Sequence, residues 1–204
     1  MQKNRLEAFS DGVIAVIITI MVLEMHVPQG ASFAALKPII PVFFSYVLSF
    51  VYVGIYWNNH HHLLHTVTHV DGRIMWANLH LLFWQSLIPF ATGWMGQNQI
   101  IGSEVMDKHF DALPTATYGF VLLMSGFAFL LLQKAIVAKQ GSHSLLAEAV
   151  GRNQKGKISL VCYVIAIGLA FVNHWLSDAL YLLVAAMWFI PDRRIERVLR
   201  NREE

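Results

Sequence analysis

The ionisable residues best placed for chemistry stand at the entry to an apolar segment near the start of the chain. Arg5 and Asp11 precede an uncharged run that ends at Leu23 and carries a single hydroxyl, that of Thr19. Ionisable groups at membrane depth are costly and rare, and they commonly mark ion pathways or polar contacts between helices. These residues are therefore the first candidates for a functional or structural site.

Helical geometry restricts the partners of these two charges. At 100° and 1.5 Å per residue, Arg5 and Asp11 lie about 120° and roughly 9 Å apart, so they do not pair within one helix. Glu7 and Asp11 share a face at i,i+4 spacing, where like charges repel. Asp11 therefore needs a partner on another helix or subunit, and Phe9 and Ser10 are expected to pack and hydrogen-bond at the same junction. Arg5 alone is equally compatible with a contact to lipid headgroups.

The composition identifies the surroundings as a membrane. Of the 204 residues, 56% are hydrophobic and 14% charged, and the mean hydropathy is +0.50, against about 25% charged residues in soluble domains. A helix needs about 20 apolar residues to cross a bilayer. We predict an all-α integral membrane protein whose residues 1–204 form one domain of six transmembrane helices, with Pro89 kinking the third. The apolar runs are 6–26, 39–57, 74–96, 114–137, 157–173 and 175–190.

The basic residues fix the expected orientation. In a six-span arrangement Lys37 and Lys108 lie on one side, and all the other lysines and arginines lie on the opposite side. The positive-inside rule then places both termini in the cytoplasm of a multi-pass protein of the cell membrane. The loop with Glu104, Asp107 and Asp111 is expected outside. We interpret the arginine-rich tail after residue 192 as a topology and lipid-contact signal, with no nucleic acid as a partner.

The first motif resembles the hallmark of a known family. Arg-x-x-x-Phe-Ser-Asp at the opening of the first of six spans is typical of the transmembrane protein 175 family of potassium channels, and Arg5, Phe9, Ser10 and Asp11 all match it. Residues 56–61, Tyr-Trp-Asn-Asn-His-His, and residues 78–90 of the third run are similar as well. The resemblance implies a potassium-permeable cation channel assembled as a homotetramer, with permeant K⁺ and no cofactor. Trp57, His61 and Asn78 are our candidate partners for Arg5, Ser10 and Asp11.

The resemblance also implies which residues line the pore. Family members carry hydrophobic constriction residues five, nine and twelve positions after the motif aspartate and a threonine eight positions after it, which here are Val16, Ile20, Leu23 and Thr19. These four follow i, i+3, i+4, i+7 spacing and form one stripe, although every face of this helix is apolar. Asp11 lies about 140° from Val16, which indicates a structural role. The chain contains no Thr-Val-Gly-Tyr-Gly carbonyl filter.

A second unusual feature is a histidine cluster between residues 60 and 69. His61, His65 and His69 are spaced i,i+4,i+8 on one helical face, and metal ligands often use such spacing. In the sequence only Asp71 accompanies them as a carboxylate, so we predict a hydrogen-bonding role and no metal site. A pH-sensing role stays open, because histidine titrates near neutral pH.

Two other function classes compete with a channel. A proton-coupled secondary transporter using Asp11 and the histidine cluster is the principal alternative. A membrane-embedded enzyme is disfavoured, because the apolar runs contain no paired carboxylates, no nucleophile–base set and no phosphate-binding loop. We therefore predict that the protein is not an enzyme.

Overall fold

Every regular element that the computed structural model describes is α-helical, over residues 3–28, 30–67, 69–101, 112–140 and 154–189. The all-α class is confirmed for these residues. The acidic loop, Lys108, Arg152 and the arginine-rich tail lie outside them. The helices are α1 (Lys3–Leu23), α2 (Phe33–Leu36), α3 (Ile39–His65), α4 (Gly72–Ser86), α5 (Ile88–Ile101), α6 (Ala112–Gln140), α7 (Gln154–Ala170) and α8 (His174–Phe189).

Three of these helices are long and apolar enough to cross a membrane, namely α1, α3 and α6, with 21, 27 and 29 residues. Helix α3 continues eight residues beyond the expected end at residue 57. The added turns carry polar asparagine and histidine side chains, so they lie beyond the apolar run of the sequence. Their inward side nevertheless packs against neighbouring helices, since Leu63 and Leu64 are fully buried. Helices α7 and α8 have 17 and 16 residues.

The third apolar run is broken into α4 and α5 at Leu87. Pro89 has no N–H group, so the carbonyl of Gln85 loses its helical partner at this position. The Ser86 hydroxyl donates to the carbonyl of Phe83 at 2.7 Å. The backbone N–H of Leu87 donates to the carbonyl of Trp84 at 3.3 Å, which closes a tighter turn than that of an α-helix. The expected single span 74–96 is thus two shorter helices that meet at a bend.

The helices are joined by close backbone approaches and by polar contacts between spans. A Cβ atom added at Gly96 of α5 would lie 2.8 Å from the Cα atom of Val42 in α3. Nearby, Ser49 Oγ lies 2.7 Å from Thr92 Oγ1 and 3.0 Å from Tyr118 Oη, which ties α3 to α5 and α6. Transmembrane helices usually associate through small residues at their crossings and through interhelical hydrogen bonds, because the hydrophobic effect does not drive helices together within lipid.

The last two helices form a tight hairpin. Only residues 171–173 separate α7 from α8. Asn173 caps α8, because its Oδ1 accepts a hydrogen bond from the backbone N–H of Trp175 at 3.0 Å, which satisfies one of the free donors at a helix start. Tyr181 of α8 then donates its hydroxyl to the carbonyl of Thr115 at 3.0 Å and fixes the hairpin against α6.

Candidate functional site

Helix α1 has one face packed against the protein and another that the single chain leaves uncovered. The packed face follows helical spacing and consists of Leu6, Ser10, Ile14, Ile17 and Met21. Val16, Ile20 and Leu23 lie on the other side, with 54%, 41% and 76% of their surface exposed, and Thr19 is exposed beside them. The stripe of four residues singled out from the sequence therefore faces away from the core of its own chain.

A groove runs along part of this uncovered face. It lies between α1 and the bend that separates α4 from α5, and its volume is about 500 Å³. Phe9, Val16 and Ile20 form its α1 wall, and Ser86 and Pro89 form the opposite wall. The bend at Pro89 is therefore adjacent to the stripe, and the groove walls are apolar except for one hydroxyl.

The signature motif divides between the two faces of α1. Arg5 and Phe9 are exposed, on the same side as the stripe. Among the described residues, no hydrogen bond or ion pair joins the Arg5 guanidinium to a side chain. The angle of about 120° around the helix accounts for the lack of a contact between Arg5 and Asp11. One chain therefore does not bring Arg5 and Phe9 into the polar network that Ser10 and Asp11 enter, and their role there stays a prediction.

Ser10 begins a buried polar chain through three helices. Its hydroxyl donates to the carbonyl of Leu6 at 2.8 Å and accepts a hydrogen bond from Nδ2 of Asn78 in α4 at 2.9 Å. Asn78 Oδ1 lies 2.6 Å from Nε2 of His60 in α3. Since an amide oxygen only accepts, Nε2 carries the proton of a neutral His60. All three side chains are buried, so the position of α1 depends on a fully desolvated contact.

Glu7 and Asp11 contact α3 through a second set of polar residues. The indole N–H of Trp57 donates to Asp11 Oδ1 at 3.0 Å. One turn away, Glu7 Oε1 lies 3.1 Å from His61 Nδ1 and 3.7 Å from His65 Nε2. We call these five residues the α1–α3 clamp. Residue numbers rise along α1 as they fall along α3, so the two helices are antiparallel, and each carboxylate has its own partners.

Three members of these contacts were not among the partners predicted from the sequence. Asn78 contacts Ser10 and Trp57 contacts Asp11, as proposed from the sequence. His61 instead contacts Glu7 and does not reach Arg5, Ser10 or Asp11. Glu7, His60 and His65 had not been assigned partners. The available signal was that Glu7 and Asp11 share one face of α1, while Trp57, His61 and His65 share one face of α3. Matching the two faces requires the register of the helices.

Asp71 lies outside the apolar runs and begins α4. Its Oδ1 accepts a hydrogen bond from the backbone N–H of Ile74 at 3.0 Å. This bond lowers the pKa of the Asp71 carboxyl below its ordinary value of 3.8, and the nearby Lys139 adds a smaller effect in the same direction. Asp71 is therefore a helix cap, and it does not extend the row of histidines as a metal ligand would.

The comparisons with known proteins agree with this architecture. The family model described as endosomal/lysosomal potassium channel TMEM175 matches residues 5–89. A potassium channel of Chryseobacterium sp. (strain P1-3) is 52% identical over 201 residues, covering 98% of this chain and 100% of the relative. A protein of Danio rerio, named an endosomal/lysosomal proton channel TMEM175, is 38% identical over 103 residues, covering 45% of this chain and 20% of that protein.

One solved structure is similar over nearly the whole chain. It is the crystal structure of a lysosomal potassium-selective channel TMEM175 homolog from Chamaesiphon minutus, with a TM-score of 0.75 and 24% identity, covering 92% of this chain and 96% of that one. At this identity the likeness establishes the fold. The family resemblance found in the sequence, and the prediction that the protein is not an enzyme, are confirmed. Because the family model matches its first part and a potassium channel at 52% identity matches it along the whole length, this chain belongs to the TMEM175 family of channels.

Proposed function

We propose that this protein is a potassium-permeable cation channel of the cell membrane, in which four chains surround a pore lined by α1. The observation that carries the proposal is the uncovered stripe of Val16, Thr19, Ile20 and Leu23 on a helix whose opposite face is packed and hydrogen-bonded. A pore-lining helix needs such a division, because one face must be held rigidly while the other meets ions. The Chryseobacterium relative is named a potassium channel, which supports the choice of ion.

The stripe supplies both parts of a simple permeation path. Four copies of Val16, Ile20 and Leu23 around one axis would make three apolar rings, and apolar constrictions gate by dewetting. The Thr19 hydroxyl donates to the carbonyl of Val16 at 2.9 Å, so its oxygen lone pairs remain to replace part of an ion's water shell. Asp11 faces Trp57 on another side of the helix. In this arrangement Asp11 positions the pore helix and does not line the pore.

The proposed topology has six spans and both termini in the cytoplasm, with α4 and α5 forming one broken span. The Lys3 amino group donates to the carbonyl of His65 at 3.3 Å, and Gln140 donates to the carbonyl of Thr66. The start of α1 and the ends of α3 and α6 therefore lie at one end of the bundle. Basic residues collect there, including Arg73 and Lys139. The positive-inside rule supports assigning this end to the cytoplasm.

Ion flux into liposomes tests the function. Purified protein should pass K⁺ down its gradient without a coupling ion, at rates above the turnover of a carrier. Flux that strictly requires a proton gradient would contradict the channel and favour the secondary transporter. Proton uptake measured in the same vesicles tests a second permeant ion, which the name of the Danio rerio relative suggests.

Replacing the large side chains of the stripe by alanine tests the position of the gate. Leu23→Ala and Ile20→Ala should widen the constriction and raise conductance or relax the preference for K⁺. Val22→Ala is the matched control, because Val22 is also exposed on α1 but lies about 100° around the helix from Leu23. If only Val22→Ala changes conduction, the pore lies on another face.

The number of chains around the pore is tested by the mass of the detergent-solubilised particle, which should correspond to four chains.

A further inference from the structure

The junction of α1 and α3 places three metal-ligand groups together. One possible ligand atom from each of Glu7, His61 and His65 lies within 4.8 Å of the other two. Oε1 of Glu7 is 3.1 Å from Nδ1 of His61 and 3.7 Å from Nε2 of His65. The two histidines are one helical turn apart on α3, and the carboxylate comes from α1. The cluster therefore joins two helices at the end of the bundle where α1 begins.

These distances suit a small tetrahedral ion. Zn²⁺ binds histidine nitrogen and carboxylate oxygen at about 2.0–2.2 Å, which sets neighbouring ligand atoms about 3.3 Å apart in a tetrahedron. The two distances to Glu7 bracket this value. The His65 side chain is 49% exposed and the Glu7 side chain only 16% exposed, so metal binding is expected to bring the two nitrogens together by a rotation of His65.

We propose that Glu7, His61 and His65 bind a divalent transition-metal ion of the Zn²⁺ type, with water in the fourth position. Two imidazoles and one carboxylate are a ligand set that zinc accepts. Mg²⁺ and Ca²⁺ prefer sites built entirely from oxygen, so the two nitrogens select against them. The Lys3 amino group, 3.3 Å from the carbonyl oxygen of His65, brings a positive charge to this end of α3 and limits the affinity.

The site also explains why the histidine row looked incomplete in the sequence. No suitable carboxylate follows the histidines along α3, because the one that faces them belongs to α1. An ion bound here ties α1 to α3 one turn from the hydrogen bond between Asp11 and Trp57. His61 stacks on Trp57, with ring centroids 6.0 Å apart and planes inclined by 23°. Metal binding therefore restrains the clamp, and on the proposed function it restrains the pore helix.

The test is titration of ZnCl₂ into the tag-free protein in detergent, followed by calorimetry. The expected result is one strong site per chain. His65→Gln should raise the Kd by at least about tenfold, because the loss of even an outer-shell partner of a metal ligand costs about 10–100-fold in affinity, and Glu7→Gln should act similarly. His69→Gln is the matched control, since His69 is exposed on the same segment but outside the cluster, and its Kd should equal that of the unaltered protein.

Two results would overturn the proposal. One is an unchanged Kd in His65→Gln, which is expected to fold because it alters a half-exposed side chain. The other is an equal loss of affinity in His69→Gln, which would indicate diffuse binding by surface histidines. The titration measures binding and not conduction, so a failure here leaves the proposed channel function intact, and failure of ion flux leaves this result intact.

Discussion

Replacement of Ser10 by alanine tests the buried polar chain that positions α1. Ser10, Asn78 and His60 have almost no exposed surface. Ser10→Ala therefore leaves the Nδ2 donor of Asn78 without its acceptor at 2.9 Å. An unsatisfied buried group costs about 1–3 kcal/mol, and interhelical hydrogen bonds in membranes reach about 1.7 kcal/mol. We expect a loss of about 1–2 kcal/mol, which corresponds to a fall in Tm of roughly 2–8 °C for a chain of this size.

The assay is thermal unfolding in detergent at fixed protein concentration, because the stability of an oligomer depends on concentration. Ser86→Ala is the matched control, since the Ser86 hydroxyl is exposed and, within the described residues, bonds to the carbonyl of Phe83 in its own helix. It should change the free energy of unfolding by less than about 0.5 kcal/mol. Equal effects of the two substitutions would refute the claim that the Ser10–Asn78–His60 chain holds α1. A double variant with Asn78→Leu should not restore the loss, because it removes the orphaned donor of Asn78 but also the acceptor of the buried His60 N–H.

Three further predictions concern neighbouring contacts. Trp57→Phe removes the indole donor of Asp11 but keeps an aromatic ring beside His61, so unfolding should become easier by about 1 kcal/mol, while Trp76→Phe at an exposed position should have little effect. Gly119→Ala should lower Tm, because the added Cβ overlaps the Tyr181 hydroxyl, whereas Gly54→Ala meets no atom within 4 Å and should be tolerated. The pKa of Asp71 is lowered in the folded state, so its contribution to stability is present above pH 3.8 and is lost as the pH falls below that value. Asp71→Asn, which keeps a capping side chain, should flatten this acid limb of the unfolding profile.

Much of the fold was readable because membrane helices carry strong compositional signals. Each of the six apolar runs coincides with a helix or, for the third run, with the pair α4 and α5. The end of α3 at His65 could not be predicted from the sequence. Its last turns are rich in histidine and asparagine, which resemble a loop in composition but are helical because Leu63 and Leu64 pack inward and His60 bonds to Asn78. The position of the break at Leu87 likewise depends on how neighbouring helices satisfy the groups around Pro89.

The contacts of the site were readable only in part, and the reason is register. The periodicity of α1 separates the Ser10 face from the Leu23 face, and this division is present in the structure. The partner of Glu7, by contrast, depends on the offset between α1 and α3, because a shift of one turn would place His61 opposite Asp11. Periodicity within a helix reveals which residues share a face, but it contains no information on the height at which two faces meet.

The most direct measurement of the central claim is block of K⁺ current by a cationic methanethiosulfonate reagent added from outside to Leu23→Cys. The background is Cys162→Ser, because Cys162 is the single native cysteine. Four cationic groups attached at the Leu23 ring should abolish most of the current, whereas Val22→Cys, on a neighbouring face of α1, should keep its current under the same treatment. Block of Val22→Cys with sparing of Leu23→Cys would contradict the assignment of the α1 stripe to the pore.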